Sequence, residues 1–302
     1  MSAGARTGAV QATSAVLKIQ PTSLMPREYG ETMSGRNRWL PILLILLGFG
    51  AGCAEKITHE VDPPRKNPSS KWQKVIRKAT RDGGVDYDFL AERSRPLERY
   101  LAWVGAHGQH KDWWGESKED RRIAHLANAH NAMVIHTIIG RRPLSSPDEI
   151  QIGLYRWPGA GLSRGVRYRL DDEWVSPAKL RNLETVSRYQ DPLLWLLFHD
   201  GSKESPPLQW WPNRGLQSRL KKTLRILLKT DAWLSKTENG WAAHPLFFAH
   251  QKDFLEWDDK QSLCDWLSAY AAGEARDWLE DHAEDCPLER VEDDRRLNQA
   301  NR

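Results

Sequence analysis

Apolar positions recur with helical spacing along most of the chain from Lys71 onward. Eight segments follow this pattern: Lys71–Thr80, Tyr87–Val104 (interrupted at Pro96), Glu119–Ile139, Pro177–Ser187, Leu216–Leu234, Leu246–Trp257, Lys260–Ala272 and Glu274–His282. Val166–Leu170 instead alternates apolar and polar residues, and together with Glu173–Val175 it predicts a short β-hairpin. We therefore expect an α+β fold, predominantly α-helical with a small β-hairpin or sheet, in a single domain.

The predicted helix Glu119–Ile139 carries polar side chains at regular intervals. His125, Asn128 and Asn131 are spaced by three residues and lie on one side of an otherwise apolar segment. Buried polar groups need hydrogen-bond partners. We expect this helix either to lie in the core with specific polar contacts or to form the wall of a site.

The segment Met33–Cys53 has the features of a bacterial secretion signal. Arg36 and Arg38 precede Trp39–Gly52, a run of 14 residues without a charge. This run is shorter than the roughly 20 apolar residues that span a bilayer. Its end resembles the lipobox of bacterial lipoproteins, with Gly50 in place of the usual Leu, and the alternative is a short uncleaved membrane anchor.

The predicted signal indicates how the chain is divided into segments and where in the cell envelope the protein lies. We expect residues 1–32 to be a non-native extension, 33–52 the signal peptide, 53–70 a lipidated tether, 71–285 the domain and 286–302 a charged flexible tail. The Cys53 sulfur would carry the lipid. Ala54 rather than Asp follows Cys53, and by resemblance to sorted lipoproteins this favours the outer over the inner membrane. We therefore expect a lipid-anchored, periplasm-facing protein of the cell envelope.

Removing the signal changes the charge of the chain. Residues 1–52 contain five basic and two acidic residues, so the net charge of +4 falls to +1. A nearly neutral protein offers no electrostatic basis for binding nucleic acid, and we expect none.

Three cysteines are present, and lipidation of Cys53 leaves Cys264 and Cys286. These two either form a disulfide, which an oxidising compartment permits, or remain free thiols. No Cys or His spacing matches a zinc site. We therefore predict no metal and no cofactor.

Tryptophan is unusually frequent, with 15 copies. These side chains either form a ligand-binding surface or fill the core, and the core is the favoured interpretation because most of them lie in apolar runs. The pairs Trp113-Trp114 and Trp210-Trp211 are the candidates for exposure.

Three blocks together resemble the domain of unknown function 547 (DUF547) family. They are Gly84–Tyr87, Ala127–Ala132 and Asp191–Leu208, the last of which begins with an apolar run, Asp191–Phe198, whose periodicity does not decide between strand and helix. Phe247–Phe254 is a weaker fourth match. The resemblance extends from about Trp72 to Tyr270. The family is found in exported bacterial proteins and in some plant and animal proteins, and it carries no settled activity.

The chain departs from the family pattern at its reactive positions. Leu193 stands where the family has Arg and Trp195 where it has His, while Asp200 and Ser205 replace its two cysteines. His130 replaces a Tyr, and Arg181 aligns with an acidic residue. The residues that match the pattern are Asn128, Asn131, Asp191, Pro192, Gly201, Ser202, Pro206 and Leu208.

The joint loss of these groups favours a binding or structural module with a degenerate site. Its candidate binding residues are Asn128, His130, Asn131, Asp191 and Trp195. Its expected partners are the membrane, through the lipid anchor, and an unknown envelope protein or small-molecule ligand.

The alternative is an envelope hydrolase that uses a rearranged Ser205/His199 pair or an acid pair that includes Asp200. A serine becomes an effective nucleophile when a nearby base takes its proton, and His199 precedes Ser205 by six residues. Against this, no GxSxG elbow is present, and a serine before two prolines is typical of a turn.

Mass spectrometry of the precursor tests the assignment of the start. We expect Met33 to be the first residue, because a secretion signal begins at the N-terminus. Recovery of any peptide from residues 1–32 would contradict it.

Overall fold

The computed structural model describes residues 54–59, 61–107, 119–171 and 173–300, all of which belong to one compact unit, Ala51–Arg302. The predictions for Met33–Cys53 and for Trp113-Trp114 lie outside the described residues. Within the described part of the chain, the fold is α+β and predominantly helical, as the sequence predicted.

Helices form most of the structure. The α-helices are α1 (Ser69–Ala79), α2 (Tyr87–Glu92), α3 (Arg95–Ala106), α4 (Glu119–Arg141), α5 (Pro177–Arg181), α6 (Ser187–Tyr189), α7 (Leu216–Leu227), α8 (Pro245–Ala249), α9 (Gln251–Asp258), α10 (Leu263–Ser268) and α11 (Glu274–Asp281). A π-helical turn, Asn182–Val186, joins α5 to α6. The apolar run of undecided type is a 3-10 helix, Pro192–Leu197, which Asp191 caps.

The strands form three small sheets. The strands are β1 (Glu55–Lys56), β2 (Thr80–Arg81), β3 (Gly84–Val85), β4 (Val166–Leu170), β5 (Glu173–Val175), β6 (Leu234–Lys236), β7 (Trp241–Ala243) and β8 (Glu289–Arg290). Their orders are β1-β4-β5, β2-β3 and β6-β7-β8. The predicted hairpin is β4–β5, with Tyr168 opposite Val175. In the third sheet, β8 pairs parallel to β7, with Ala242 opposite Glu289.

The long helix α4 lies between two hydrophobic clusters. Near its start, Ile123 and Ala127 pack in the cluster that includes Trp211 and Phe247. Farther along, side chains such as Met133 pack in the cluster formed with α1 to α3 and the β4–β5 hairpin. Because apolar side chains meet a core on more than one side, the helix lacks a single apolar face.

Three tertiary features bear directly on the predictions. Cys264 and Cys286 form a disulfide that joins α10 to the segment after α11. Trp211, expected to be exposed, is fully buried, because its backbone and its indole both form hydrogen bonds inside the second cluster. The amphipathic helix α7 buries Leu216, Leu220 and Leu224, so its charged face is solvated.

The structure contradicts the predicted flexible tail, residues 286–302, over its described part. The Val291 and Leu297 amides donate to the carbonyls of Ala243 and Ser145, at 2.9 and 2.6 Å. The side chains of Leu297 and Asn298 are buried. A charged composition predicts mobility only when the charges face water, and here the charged segment is held by partners from distant parts of the chain.

Arg295 is the main polar attachment of this segment. Its guanidinium donates to Asp148 at 2.8 Å, to Asp200 at 2.7 Å and to Glu204 at 3.0 Å. Three carboxylates around one half-buried arginine form a network, which is worth more than isolated surface pairs.

Replacing Arg295 with Gln is expected to lower the free energy of unfolding by about 1–3 kcal/mol at neutral pH, because it leaves partly buried carboxylates without their cation. Burial opposes ionisation of Asp200, but Arg295 and Ser202 outweigh it and lower its pKa. A lowered pKa contributes stability that is complete above the usual carboxyl range and is lost as the pH falls. The difference between wild type and variant should therefore shrink on acidification.

Urea unfolding at pH 7 and pH 3 measures both effects. The matched control is Arg296→Gln, since Arg296 pairs with Asp294 on the exposed surface. Equal effects of the two substitutions would contradict the assigned role of Arg295.

Candidate functional site

The loop Phe198–Pro206 forms most of the second half of the third family-like block, Asp191–Leu208. Gly201 has a φ of +90°, and a Cβ atom there would lie 2.4 Å from the Cδ1 of Ile138 on α4. The Asn131 side-chain oxygen accepts the His199 backbone amide at 3.0 Å. The helix α4 thus holds the loop at two points, and only glycine fits one of them.

Asp200 is fully engaged within the protein. Its Oδ1 accepts the backbone amide and the hydroxyl of Ser202, at 2.9 and 2.6 Å, and its Oδ2 accepts Arg295 at 2.7 Å. Burial alone would raise the pKa of Asp200, but these contacts hold it below the usual range. Asp200 is therefore a stable carboxylate at neutral pH and is unsuited to be a general acid.

Ser205 and His199 are in contact, with the Ser205 Oγ 2.7 Å from the His199 Nδ1. The same nitrogen lies 2.9 Å from the Pro206 carbonyl oxygen. A carbonyl oxygen can only accept, so Nδ1 carries the hydrogen. A protonated Nδ1 cannot take the Ser205 proton. Burial also lowers the pKa of His199, opposed by its contacts with Pro206 and Asp200.

Trp195 is packed against a histidine and an arginine. Its ring stacks on His250 with 3.5 Å between ring centroids, and its indole N–H donates to Asp253 at 3.0 Å. The Arg181 guanidinium carbon lies 5.7 Å from the ring centroid. Burial lowers the pKa of His250 to about 4, with Asp253 opposing and Arg181 adding to the shift. His250 is therefore neutral at physiological pH.

A cavity of about 220 Å³, which we call the tryptophan cavity, lies beside this stack. Trp195, Asp200 and Ser205 line it, together with Arg181 at the end of α5 and residues of the loop, the start of α8 and the C-terminal segment. Three of the sequence candidates therefore share one cavity. His199 lies behind its wall, fully buried.

His244 also lines the tryptophan cavity, but its ring acts as a helix cap. Its Nδ1 accepts the Leu246 amide at 3.1 Å, and its Nε2 donates to the Glu204 carbonyl at 2.6 Å. Both nitrogens are thus occupied, and the ring stacks on Trp233. Burial lowers the pKa of His244 to about 4, against smaller opposing contributions from Glu204 and Asp200.

A second cavity, of about 420 Å³, lies on the far side of the shared residue Trp195. Its wall is more polar and includes Asn182, Gln190 and Asp253. Trp257, with 52% of its surface exposed, stands at this cavity. Trp195 thus forms part of the wall of both cavities.

The amides of Asn128 and Asn131, expected to bind a ligand, are occupied by backbone groups. Asn128 forms two hydrogen bonds of 3.0 Å with the backbone N–H and C=O of Trp211. Asn131 donates to the Leu197 carbonyl at 2.9 Å. Both are buried. We expected α4 to be either a core helix with specific polar contacts or the wall of a site, and Asn128 and Asn131 fit the first alternative.

Asp191 and His130 are also placed away from an open site. Asp191 caps the 3-10 helix by accepting the Leu193 amide at 2.9 Å, and it accepts Gln217 as well. His130 is buried against Phe198, one residue behind the wall of the tryptophan cavity. Burial and the nearby Arg181 lower the pKa of His130 to about 3. Of the five candidate binding residues, only Trp195 lines a described cavity large enough for an organic ligand.

Sequence reasoning missed several wall residues. Arg290 and Asp293 belong to the segment that its charged composition marked as flexible. His250 lies 55 residues from Trp195 in the chain, and no local pattern indicates that their rings stack. Besides Trp195, Asp200 and Ser205, the sequence analysis had singled out Arg181 through its place in the family-like pattern, and Arg181 also lines the cavity.

Comparisons with known proteins add no relative. No protein-family model, curated protein or solved structure matches the chain. The DUF547 resemblance therefore stays a prediction based on its motifs. Among the described residues, no group of three or more His, Cys, Asp or Glu side chains could hold a metal ion, and no helix has the length and apolar character needed to cross a bilayer.

Replacing Asn131 with Ala is expected to lower the free energy of unfolding by about 2–4 kcal/mol. The substitution leaves the buried His199 N–H without its acceptor and removes a donor from the Leu197 carbonyl. Thermal unfolding followed by circular dichroism measures the loss. Asn239→Ala is the control, because within the described part of the chain the Asn239 amide makes one exposed contact, of 3.4 Å. A loss no larger than that of the control would contradict the structural role of Asn131.

Proposed function

We propose that this chain is a lipid-anchored binding protein of the cell envelope that holds a small-molecule ligand in the tryptophan cavity. The proposal rests on one observation, which is how the polar groups around Trp195 are hydrogen-bonded and ion-paired. Asp200, His244 and Asp293, which could move a proton, are engaged in contacts within the protein, while the cavity itself stays open.

Catalysis requires a group that can accept or donate a proton near the working pH. The His244 nitrogens are both hydrogen-bonded, and Asp200 is bound to Ser202 and Arg295. The pKa of His250 is lowered to about 4, mainly by burial. These features support binding without turnover.

The proposed location rests on the signal-like segment Met33–Cys53 and gains support from the disulfide. Disulfides persist in oxidising compartments such as the bacterial periplasm and are rare in the cytosol. The bond between Cys264 and Cys286 suits the exported location that the signal predicts.

A serine hydrolase is the second candidate, because the Ser205 Oγ lies 2.7 Å from an imidazole nitrogen. The Pro206 carbonyl on the same nitrogen argues against it, since that contact requires Nδ1 to be the donor. Turnover would need this hydrogen to move to Nε2, which lies 3.5 Å from the Tyr87 hydroxyl.

Native mass spectrometry of the protein solubilised from its own envelope tests the binding function. We expect the wild type to carry a non-covalent small molecule and Trp195→Ala to lose it, because Trp195 forms a wall of the cavity. Trp174→Ala is the matched control, since Trp174 lies on the β4–β5 hairpin. A wild-type mass equal to that of the bare lipoprotein would contradict the proposal.

A fluorophosphonate probe, which labels activated serines, separates the two candidates. The binding function predicts no labelling. Covalent labelling of the wild type that disappears in Ser205→Ala would overturn it in favour of the hydrolase.

A further inference from the structure

Arg181 differs from the other arginines around the tryptophan cavity. Arg290 lines the cavity and forms two contacts with Asp293, at 2.6 and 2.7 Å. Arg295 binds several carboxylates behind the wall. Arg181 donates from Nε to the Asn182 side chain at 2.9 Å, and no carboxylate in the described part of the chain forms an ion pair with its guanidinium.

An arginine remains charged at neutral pH even where burial lowers its pKa. Burial lowers the pKa of Arg181, Asp200 opposes the shift, and the nearby Arg164 and Arg295 add to it. A half-buried cation without an ion-pair partner is costly, and the Asp200 carboxylate offsets this cost only in part, because it is itself bound by Ser202 and Arg295. The open cavity is the side from which such an anion can come.

Glu204 presents the complementary feature on the wall of the same cavity. Its Oε1 accepts Arg295 at 3.0 Å, but its Oε2 is buried without a hydrogen-bond partner among the described residues. Burial raises the pKa of Glu204, against the opposing effect of Arg295. A buried carboxylate oxygen without a donor is destabilising, and a ligand donor would satisfy it.

One part of the remaining wall is apolar. Phe198, Pro245, Leu246 and Ala249 line it, beside the stacked rings of Trp195 and His250. A volume of about 220 Å³ limits the ligand to a small molecule. The cavity thus combines one unpaired cation, one unpaired carboxylate oxygen and an apolar surface.

We propose that the tryptophan cavity binds a zwitterionic α-amino acid with an apolar side chain. Its carboxylate pairs with Arg181, its ammonium donates to the Glu204 Oε2, and its side chain packs against Phe198 and Leu246. This assignment rests on the proposed binding function and names its ligand class. A phosphate fits less well, since Asp200, Glu204 and Asp293 on the same wall repel a dianion more strongly than a zwitterion.

Isothermal titration of the solubilised wild-type lipoprotein with three related probes tests the proposal without any variant. The probes are L-phenylalanine, 3-phenylpropionate, which lacks the ammonium, and phenethylamine, which lacks the carboxylate. We expect L-phenylalanine to bind at least tenfold more tightly than either analogue, because each analogue leaves one protein group unpaired. Equal binding of 3-phenylpropionate would overturn the role of Glu204, and equal binding of phenethylamine that of Arg181.

Variants locate the two contacts. Arg181→Gln and Glu204→Gln are each expected to weaken L-phenylalanine binding about 10- to 100-fold. Arg276→Gln is the control, since Arg276 forms an exposed pair with Glu280 on α11. Circular dichroism melting checks that each variant is folded. Undiminished binding by both folded variants would overturn the assigned site.

The outcomes separate this proposal from the function on which it rests. If no probe binds but native mass spectrometry detects a ligand that Trp195→Ala loses, the amino-acid assignment fails and the binding function stands. If neither method detects a ligand, both proposals fail.

Discussion

Hydrogen bonds from the buried amides of α4 to the backbone of a distant segment organise the rest of the structure. Asn128 pairs with both backbone groups of Trp211, and Asn131 bridges the Leu197 carbonyl and the His199 amide. These amides do for an irregular segment what a neighbouring strand does in a sheet, since they supply hydrogen-bond partners to buried backbone groups. The loop Phe198–Pro206 is therefore rigid enough to form a cavity wall.

The C-terminal segment, like α4, holds the loop Phe198–Pro206 in place. Arg295 joins Asp148, Asp200 and Glu204, so the loop is held by helix amides on one side and by a guanidinium on the other. Arg290 and Asp293 then extend the wall of the tryptophan cavity. Among the described residues, the ion pairs neutralise most of these carboxylates, and Arg181 lines the cavity without an ion-pair partner.

The family-like positions acquire different roles in this arrangement. Ser205 contacts His199, but the His199 Nδ1 donates to the Pro206 carbonyl and therefore cannot take the Ser205 proton. Trp195, which aligns with a His in the family pattern that the sequence resembles, is part of a ring stack with His250. Trp195 and Ser205 thus form packing and hydrogen-bonding contacts within the protein.

Local pattern determined the helices, the β4–β5 hairpin and the polar stripe of α4, because the spacing of apolar residues reflects which side of each element is buried. It also indicated the block that forms the cavity loop. Tertiary structure decided the cavity's opposite wall: the stack of His250 on Trp195, the docking of the charged segment through Arg295, and the isolation of Arg181. These contacts join residues far apart in the chain, and local pattern does not record which distant charges and rings will meet.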